Sequence, residues 1–376
     1  MPKHAIVIGG GIIGLATCFE YQEAGYEVTL IDPDPISGAT HHAGGMLAPT
    51  AEVQYQQHAL LPLMQESARL YPSLIQRVSE HTDLPTGYRT DGTLLVGADR
   101  ADATHLSDIA HYLEQESVEV DKPTTRQARA LEPALSPSIT KALRIDGDHQ
   151  VAPRLFARAL LDAITHRGAE IIRDRVVALE GNSRCEKVRC ENSTLESSSS
   201  DIVLAAGLGV ARIEGAPQLN LRPVYGDILN LRVPEAMRPL ITRVIRGFVE
   251  DRPVYLIPRD NGLLTIGATS REDAPTPRAG AVYDLLRDAI RLVPGIEECE
   301  FVEATCGARP GTPDDLPYLG RVGENQIVST GYFRHGILLA ALGARSTVAL
   351  SQGGEPPVDL SACDPCRHTL TERQAQ

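Results

Sequence analysis

The sequence predicts an α/β fold in which a parallel sheet covered by helices is joined to a second, α+β domain built on an antiparallel sheet. The wholly apolar run at residues 5–8 is typical of a parallel strand buried on both faces, and a helix and a second strand at residues 27–31 follow it. Between residues 223 and 306, strands follow one another with a single helix, which indicates an antiparallel sheet. A strand at residues 326–330 then runs through glycine into a final helix, which returns the chain to the parallel sheet.

A glycine turn joins the first strand to the first helix. Gly9, Gly11 and Gly14 form a G-x-G-x-x-G motif, whose glycines permit a tight turn, close approach to a pyrophosphate and close helix packing, respectively. The helix N-terminus offers unpaired N–H groups to the same pyrophosphate. Gly25 ends the helix, and Asp32 at the tip of the second strand can accept hydrogen bonds from both ribose hydroxyls. The combination predicts a site for an ADP moiety and leaves NAD and FAD as alternatives.

Length and composition favour a water-soluble, two-domain protein. The chain has 376 residues, 42% of them hydrophobic and 23% charged, which suits a large core. Its formal net charge of −13, without a block of basic residues, argues against a nucleic-acid partner. Neither a membrane-spanning run nor a signal peptide is visible, so we expect a cytoplasmic protein without an integral membrane segment.

The seven cysteines are best explained as free thiols in a reducing compartment. Cys363 and Cys366, with His368 close by, are compatible with a metal or redox site. Further ligands at matching spacing are missing, so the sequence predicts no bound metal. The segment lies in a polar, proline-containing tail, residues 356–376, which we expect to be loosely held.

The rest of the chain favours FAD over NAD. Residues 33–49 are rich in small and hydroxylated residues and follow the carboxyl end of the second strand, where a doubly wound sheet holds its ligand. A strand at residues 201–205 also runs into glycines but lacks the spacing of a second ADP site. A final helix starting at Gly336 would direct its positive N-terminus at the N1–C2=O edge of a flavin. A catalytic histidine or lysine of the kind an NAD dehydrogenase needs is not evident.

Several motifs together resemble the D-amino-acid-oxidase superfamily of FAD-dependent enzymes, and within it the glycine oxidase branch that serves thiamine synthesis. The resemblance extends to about residue 350 and rests on four stretches: Val7-Ile-Gly9-Gly-Gly-Ile-Ile-Gly14, His42-Ala-Gly-Gly-Met-Leu-Ala-Pro49, Gly307-Ala-Arg-Pro-Gly-Thr312 and Gly331-Tyr-Phe-Arg-His-Gly-Ile-Leu-Leu339. It implies an FAD-binding Rossmann-like domain of the glutathione-reductase/D-amino-acid-oxidase type, residues 1–222 and 307–355. A substrate domain, residues 223–306, would be inserted in it.

The resemblance also implies a reaction. A hydride would pass from the Cα of glycine or another small amino acid to flavin N5, and the imine would hydrolyse to a keto acid and ammonia. Dioxygen, the expected electron acceptor, would be reduced to hydrogen peroxide. Because the flavin accepts the hydride, the protein must chiefly fix the substrate carboxylate, and no catalytic acid or base is expected.

Three residues match the substrate-binding positions of the family, and each has a plain alternative. Arg309 matches the arginine that binds the substrate carboxylate through its planar fork, although an ion pair with Asp314 or Asp315 would also explain it. Tyr255 matches a tyrosine that faces the substrate, and otherwise belongs to the core. Arg334 matches a position beside flavin and substrate, and otherwise forms a surface ion pair.

The same matching implies the cofactor-binding residues, and it shows where this chain departs from the family. His41 and His42 replace small or hydroxylated residues, Tyr225 stands where a basic residue is common, and Ser270 replaces a bulky apolar residue that confines glycine. Ser270 therefore leaves the size of the substrate side chain open. The implied FAD contacts are Gly9, Gly11, Ile12, Ile13, Gly14, Asp32, Pro33, Ala39, Thr40, Gly44, Gly45, Met46, Val176 (with Val177 nearly equivalent), Tyr332, Phe333, Arg334, His335, Gly336, Ile337 and Leu338.

The sequence leaves two other functions open. The same fold serves dehydrogenases that oxidise D- or N-methyl amino acids and pass electrons to a carrier or quinone. The other is a non-catalytic or RNA-modifying flavoprotein, since a tRNA-modifying enzyme carries a related domain. The acidic charge disfavours it. The oligomeric state, a homo-oligomer included, is not determined by the sequence.

Overall fold

The protein is described by a computed structural model over residues 3–55 and 57–368. The helices are α1 (Ile12–Glu23), α2 (Leu60–Ser79), α3 (Arg100–Gln115), α4 (Thr125–Leu131), α5 (Pro153–His166), α6 (Ala279–Leu292) and α7 (Ala340–Ser351). The strands are β1 (His4–Ile8), β2 (Glu27–Ile31), β3 (Met46–Leu47), β4 (Thr93–Gly97), β5 (Lys141–Ile145), β6 (His149–Gln150), β7 (Glu170–Ile172), β8 (Val176–Gly181), β9 (Cys185–Cys190), β10 (Thr194–Glu196), β11 (Ser200–Leu204), β12 (Arg222–Arg232), β13 (Val244–Val249), β14 (Arg252–Pro258), β15 (Leu263–Gly267), β16 (Glu300–Gly311), β17 (Tyr318–Arg321) and β18 (Gln326–Thr330).

A six-stranded sheet carries the N-terminal glycine motif. Its strand order is β17-β18-β11-β1-β2-β7, and all its pairings are parallel except that of β17 with β18. Ala5 and Val7 of β1 pack in the core that contains α1, α2, α5 and α7, whereas Ile6 and Ile8 pack against the three-stranded sheet β10-β9-β8. Because side chains of a strand alternate between its faces, an uninterrupted apolar run is what this doubly covered position requires.

A second, seven-stranded sheet has the strand order β16-β12-β15-β14-β13-β4-β5. Its neighbours are antiparallel except β13 and β4, which are parallel. Leu285, Ala289 and Leu292 of α6 are buried against one face of this sheet. The mixed α/β architecture predicted from the sequence is confirmed. The sheet also takes in β4 and β5, two strands that precede residue 223.

The start of the final helix differs from the prediction. The regular helix α7 begins at Ala340 and not at Gly336, because the chain leaving β18 makes a 3₁₀ turn at Phe333–His335 and a further turn before it becomes helical. Gly331 has a φ of 75° and Phe333 a φ of 45°, so the backbone reverses direction here. The N–H groups that face the cleft at this point therefore belong to a turn and not to a helix terminus.

The described part of the C-terminal tail packs against the rest of the protein, although the sequence predicted a loosely held segment. Arg367 donates to both carboxylate oxygens of Asp314 at 2.8 Å, and its guanidinium lies 4.2 Å from the centre of the Tyr318 ring. His368 Nδ1 is 2.6 Å from the Tyr318 hydroxyl. A bidentate arginine pair holds its partner in one geometry. Residues 356–368 are thus tied to the loop that precedes β17, and the rest of the predicted tail lies outside the described residues.

None of the helices in the described ranges has the length and apolar character needed to cross a membrane. Likewise, over residues 3–55 and 57–368 no group of three or more His, Cys, Asp or Glu side chains is placed to hold a metal ion.

We predict that Gly14→Ala strongly destabilises the protein. A Cβ on Gly14 would lie 1.8 Å from the carbonyl oxygen of Gly9, and neither backbone can retreat without opening the turn. Forcing extra volume into such a contact typically costs about 1–3 kcal/mol. Urea unfolding measures the loss. Gly280→Ala is the matched control, because that glycine also lies in the first turn of a helix but has no atom within 4 Å of the added Cβ. Equal stability of both variants would contradict the prediction.

Candidate active site

A cavity of about 930 Å³ lies between the carboxyl ends of the parallel strands and the inner face of the seven-stranded sheet. This volume is near the upper end of the range for ligand sites. Most of the residues predicted from the sequence line this one cavity: Gly9, Gly11, Ile12, Ile13, Asp32, Pro33, Ala39, Thr40, Gly44, Gly45, Met46, Val176, Tyr255, Arg309, Tyr332, Phe333, Arg334, Gly336 and Ile337.

The glycine turn and Asp32 form one end of the cavity. Helix α1 has neither a side-chain cap nor an acidic residue in its first turn, although the Thr40 hydroxyl accepts from the N–H of Ile12 at 2.9 Å. Such a terminus suits a diphosphate. The two oxygens of Asp32 accept from the N–H groups of Gly10 at 2.6 Å and Asp34 at 2.8 Å, which fixes the carboxylate at the strand tip. Each oxygen keeps a lone pair for a ribose hydroxyl.

Three predicted cofactor residues lie behind the wall of the cavity instead of on it. Gly14 packs α1 onto the turn, and His335 and Leu338 are 3% and 1% exposed. Val176 and Val177 both line the cavity, so the structure does not separate these two alternatives. The wall also contains residues that the sequence did not single out: Ile36, Ser37, Gly38, Glu52, Asp174, Arg175, Ala205, Arg212, Arg246, Cys306 and Ser329.

A buried arginine fixes the loop between the two ends. Arg259 donates to the carbonyl oxygens of Gly44 and, at 3.0 Å, Val151. Burial lowers the pKa of Arg259 to about 10, so it is still a cation at neutral pH. Gly44 must be glycine, because a Cβ there would lie 2.6 Å from the Tyr255 hydroxyl oxygen. The loop backbone is therefore pressed against the residue predicted to face the substrate.

Arg309 lies at the other end of the cavity, on β16. Its guanidinium covers Gly226 of β12 so closely that a Cβ on Gly226 would be 2.2–2.4 Å from three of its atoms. Nη1 donates to the carbonyl oxygen of Thr269 at 3.1 Å. Asp314 pairs with Arg367, and Asp315 lies 3.5 Å from Arg222. The alternative explanation of Arg309, an ion pair with either aspartate, is therefore wrong.

Tyr255 and Arg334 complete the polar wall. Burial raises the pKa of Tyr255 to about 12, so its hydroxyl remains a hydrogen-bond donor at any physiological pH. Burial and the neighbouring charge of Arg309 lower the pKa of Arg334, and its guanidinium lies 5.1 Å from the centre of the Phe333 ring. Arg334 is exposed and lines the cavity, and within the described residues the carboxylates near it pair with other cations: Asp315 with Arg222, and Glu52 with Arg246 and His335.

Glu52, which sequence reasoning missed, is the acidic residue in this half of the cavity. Its carboxylate lies 3.3 Å from Nη1 of Arg246 and 3.8 Å from Nδ1 of His335. Burial lowers the pKa of His335, so the imidazole is neutral. Arg246 is paired across the sheet with Tyr255, which places both side chains on the face toward the cavity. A loop, a strand and a turn from distant parts of the chain bring Glu52, Arg246 and His335 together, so no local motif could have revealed them.

The residues that depart from the family pattern differ in whether they line the cavity. Ser270 and His42 line the cavity, whereas His41 and Tyr225 do not. His42 packs on Gly307, where a Cβ would lie 2.4 Å from that of His42. The Tyr225 ring has the Arg271 guanidinium 5.9 Å from its centre.

The cavity lies at the carboxyl ends of a doubly wound sheet, and a helix N-terminus without a side-chain cap and an acidic residue line it. These features are typical of a dinucleotide-binding protein. The chain belongs to the FAD-dependent oxidoreductase family, whose model matches residues 4–350. It is an FAD-dependent enzyme of the D-amino-acid-oxidase type, as the sequence predicted.

Two curated relatives illustrate the similarity. The chain is 31% identical to glycine oxidase of Geobacillus kaustophilus over 373 residues, 96% of both chains. It is also 31% identical to the bifunctional protein ThiO/ThiG of Trichormus variabilis over 350 residues, 92% of this chain but 52% of that protein. The chain thus spans about half the length of that relative.

The crystal structure of the Geobacillus kaustophilus glycine oxidase superposes with a TM-score of 0.88 at 29% identity, covering 97% of this chain and 99% of that one. An FAD-bound glycerophosphate oxidase from Mycoplasma pneumoniae, with a TM-score of 0.78 at 18% identity, shares the fold.

We predict that Asp148→Asn flattens the pH dependence of stability between about pH 4 and 7. Asp148 is fully buried and accepts from the N–H groups of Thr50 at 3.1 Å and Ala51 at 2.6 Å, which positions the loop before Glu52. Burial raises the pKa of Asp148 from 3.8 to about 7. The folded state therefore keeps a proton that the unfolded chain loses, so the free energy of unfolding falls as pH rises through this interval, by at most about 1.4 kcal/mol per pH unit.

Urea unfolding at several pH values, with the exposed neighbour Asp146→Asn as control, measures this slope. An unchanged slope in Asp148→Asn would show that the buried carboxyl titrates normally.

Proposed function

We propose that this protein oxidises glycine or another small amino acid, with dioxygen as electron acceptor. Glycine plus dioxygen and water would give glyoxylate, ammonia and hydrogen peroxide. The observation that carries the proposal is Arg309, an arginine without a carboxylate partner in the described residues, at the opposite end of the cavity from Asp32. The similarity to glycine oxidases over nearly the whole chain supports it.

In this proposal, one set of residues holds FAD and another holds the substrate. The α1 N-terminus and Thr40 hold the FAD pyrophosphate, Asp32 holds the adenosine ribose, and the turn from Tyr332 to Ile337 contacts the flavin. Bound FAD supplies the hydride acceptor. Arg309 binds the substrate carboxylate in a bidentate manner, and the Tyr255 hydroxyl donates to the same group.

The remaining charges support this arrangement. Arg309 and Arg334 give the substrate end an excess of positive charge, which attracts the carboxylate. The Glu52 carboxylate limits that excess and offers an acceptor for the substrate amine. Orientation of Cα by these groups supplies the proximity that such a reaction needs.

The wider biological setting follows from the same relatives. We place the enzyme in the cytoplasm and connect it with thiamine thiazole synthesis, as the ThiO/ThiG relatives suggest. Residues 1–222 with 307–355 would form the FAD-binding domain and residues 223–306 most of the substrate domain.

The direct test is anaerobic mixing of the yellow holoenzyme with glycine, sarcosine, D-alanine and D-proline. Loss of flavin absorbance, followed by peroxide release when air is admitted, is the expected result. If none of the four reduces the flavin, the protein is not an amino-acid oxidase of this type.

Arg309→Ala should raise the KM for the best substrate by roughly 100-fold, because a charge-assisted bidentate contact contributes about 2–3 kcal/mol. FAD should remain bound, since Arg309 lies at the substrate end. Steady-state peroxide assays and the flavin spectrum measure both effects. Arg232→Ala, an exposed arginine on β12, is the control. Loss of FAD from Arg309→Ala alone would mean that the arginine holds the cofactor site together.

Ser270→Met should shift selectivity toward glycine. Ser270 lines the substrate end, and a longer side chain would fill space that a substrate methyl group otherwise takes. The ratio of kcat/KM for glycine to that for D-alanine should rise about tenfold or more, the usual effect of one methyl group in a tight pocket. Ser270→Ala removes the hydroxyl without adding volume and should leave the ratio near that of the wild type. A shift of equal size in both variants would show that the hydroxyl, and not the space, sets the preference.

A further inference from the structure

A buried ion pair lies directly behind the guanidinium of Arg309. Asp227 follows Gly226 on β12 and is fully buried. Arg271 donates to both of its carboxylate oxygens, from Nη2 at 2.9 Å and from Nε at 3.1 Å. Although burial alone would raise the pKa of Asp227, the hydrogen bonds from Arg271 and Thr269 lower it overall, so the carboxylate is ionised at neutral pH.

Thr269 connects this ion pair to Arg309. Its hydroxyl donates to Oδ2 of Asp227 at 2.7 Å and accepts from the N–H of Asp227 at 2.8 Å. Its carbonyl oxygen accepts from Nη1 of Arg309 at 3.1 Å. A continuous chain of hydrogen bonds therefore runs from Arg271 through Asp227 and Thr269 to the arginine at the substrate end.

Arg309 depends on this chain because little else holds it. In the described part of the molecule, the Thr269 carbonyl is the one hydrogen-bond acceptor of its guanidinium. Gly226 beneath it offers a flat surface and no polar group. The nearby charge of Arg334 repels it, and a cation of this kind moves unless its acceptor is fixed.

Arg271 in turn is fixed from several sides. Besides Asp227, it donates from Nη1 to Asp273 at 2.6 Å and from Nη2 to the Thr276 carbonyl at 2.6 Å. Its backbone exchanges hydrogen bonds with Tyr225 at 2.7 and 3.0 Å. The segment that includes Ser270 is thereby bound to β12, next to the strand that carries Arg309.

We propose that Asp227 and Thr269 are positioning residues, which hold Arg309 in the orientation that binds the substrate carboxylate. The proposal rests on the proposed function, since it assigns these residues a part in amino-acid oxidation. Neither residue acts on the substrate itself. An amide at position 227 keeps one acceptor oxygen in place of two and loses the charge, so Arg271 and Thr269 can no longer both be held as they are. The Thr269 carbonyl then shifts, and the fork of Arg309 no longer meets both oxygens of a carboxylate.

The test compares Asp227→Asn with Asp288→Asn in the holoenzyme. Asp288 is a matched control because it is 4% exposed and accepts from Arg252 in the same bidentate way, from Nε at 2.9 Å and from Nη2 at 3.1 Å, but it lies on α6 away from the cavity. Acetate serves as probe, since it is a carboxylate that cannot be oxidised, and its binding is followed by the change in the flavin spectrum. The KM and kcat for glycine are measured in parallel.

Asp227→Asn should weaken acetate binding and raise the KM by about tenfold or more, the effect of losing one well-placed charge-assisted hydrogen bond. We expect FAD content to change little and kcat to fall by a smaller factor than the KM rises, because a misplaced Arg309 weakens substrate binding as well as the orientation of Cα. Asp288→Asn should lower the unfolding temperature and leave acetate binding unchanged. Equal effects of the two variants on acetate binding would overturn the proposal, because Asp227 would then act only on stability.

The decisive step is the double variant with Arg309→Ala. If Asp227 acts through Arg309, Asp227→Asn adds less than about twofold in that background. A full additional effect would contradict the proposal. Should Asp227→Asn not fold, Thr269→Val breaks the same link at nearly constant shape by removing the hydroxyl that donates to Asp227. Thr269→Ser keeps that hydroxyl and should retain acetate binding.

Acetate binding and flavin reduction together distinguish failure of the proposed function from failure of the proposal about Asp227. If wild-type enzyme binds acetate but is not reduced by any amino acid, the proposed reaction is wrong, while the acetate data still decide the role of Asp227. If wild-type enzyme does not bind acetate at all, Arg309 is not a carboxylate site and both proposals fall.

Discussion

The surplus of positive charge at the inner end of the cavity is the constraint on which the site depends. Arg246, Arg309 and Arg334 line it with Glu52 as their acidic neighbour, and the charge of Arg309 contributes to lowering the pKa of Arg334. The protein offsets it by placing carbonyl oxygens and distant carboxylates behind the guanidinium groups. The charge that remains uncompensated would attract a small anion, as the proposed carboxylate substrate requires.

Close backbone contacts allow these charges to share one cavity. Gly44 approaches the Tyr255 hydroxyl, Gly226 lies under Arg309, and Gly307 receives the side chain of His42. A Cβ on any of these glycines would lie within 2.2–2.6 Å of the side chain that packs there, so each glycine allows two elements to approach closely. Gly9 and Gly14 have the same role in the first sheet, where helix and strand nearly touch.

Long strands connect the two halves of the molecule. β12 and β16 are paired along almost their whole length, and their far ends bring Gly226 and Arg309 beside the carboxyl ends of the parallel sheet. Two sheets that meet in this way form a wall of fixed backbone around the ligand. A site held by strands keeps its donors in place better than one built on loops.

The sequence alone determined the parallel sheet and predicted, by motif and by resemblance, that Asp32, Tyr255, Arg309 and Arg334 belong to one site, because those features are encoded in short motifs with fixed spacing. The structure places all four on the wall of one cavity. The tertiary structure decided what surrounds them. Glu52 and Arg246 are 194 positions apart, and they meet only because the loop that carries Glu52 packs beside the strand that carries Arg246. The link from Asp227 through Thr269 to Arg309 likewise depends on the register of three strands. The sequence shows which charged groups are present. The balance between their charges depends on the distances between them, and those distances are fixed only when the sheets pack.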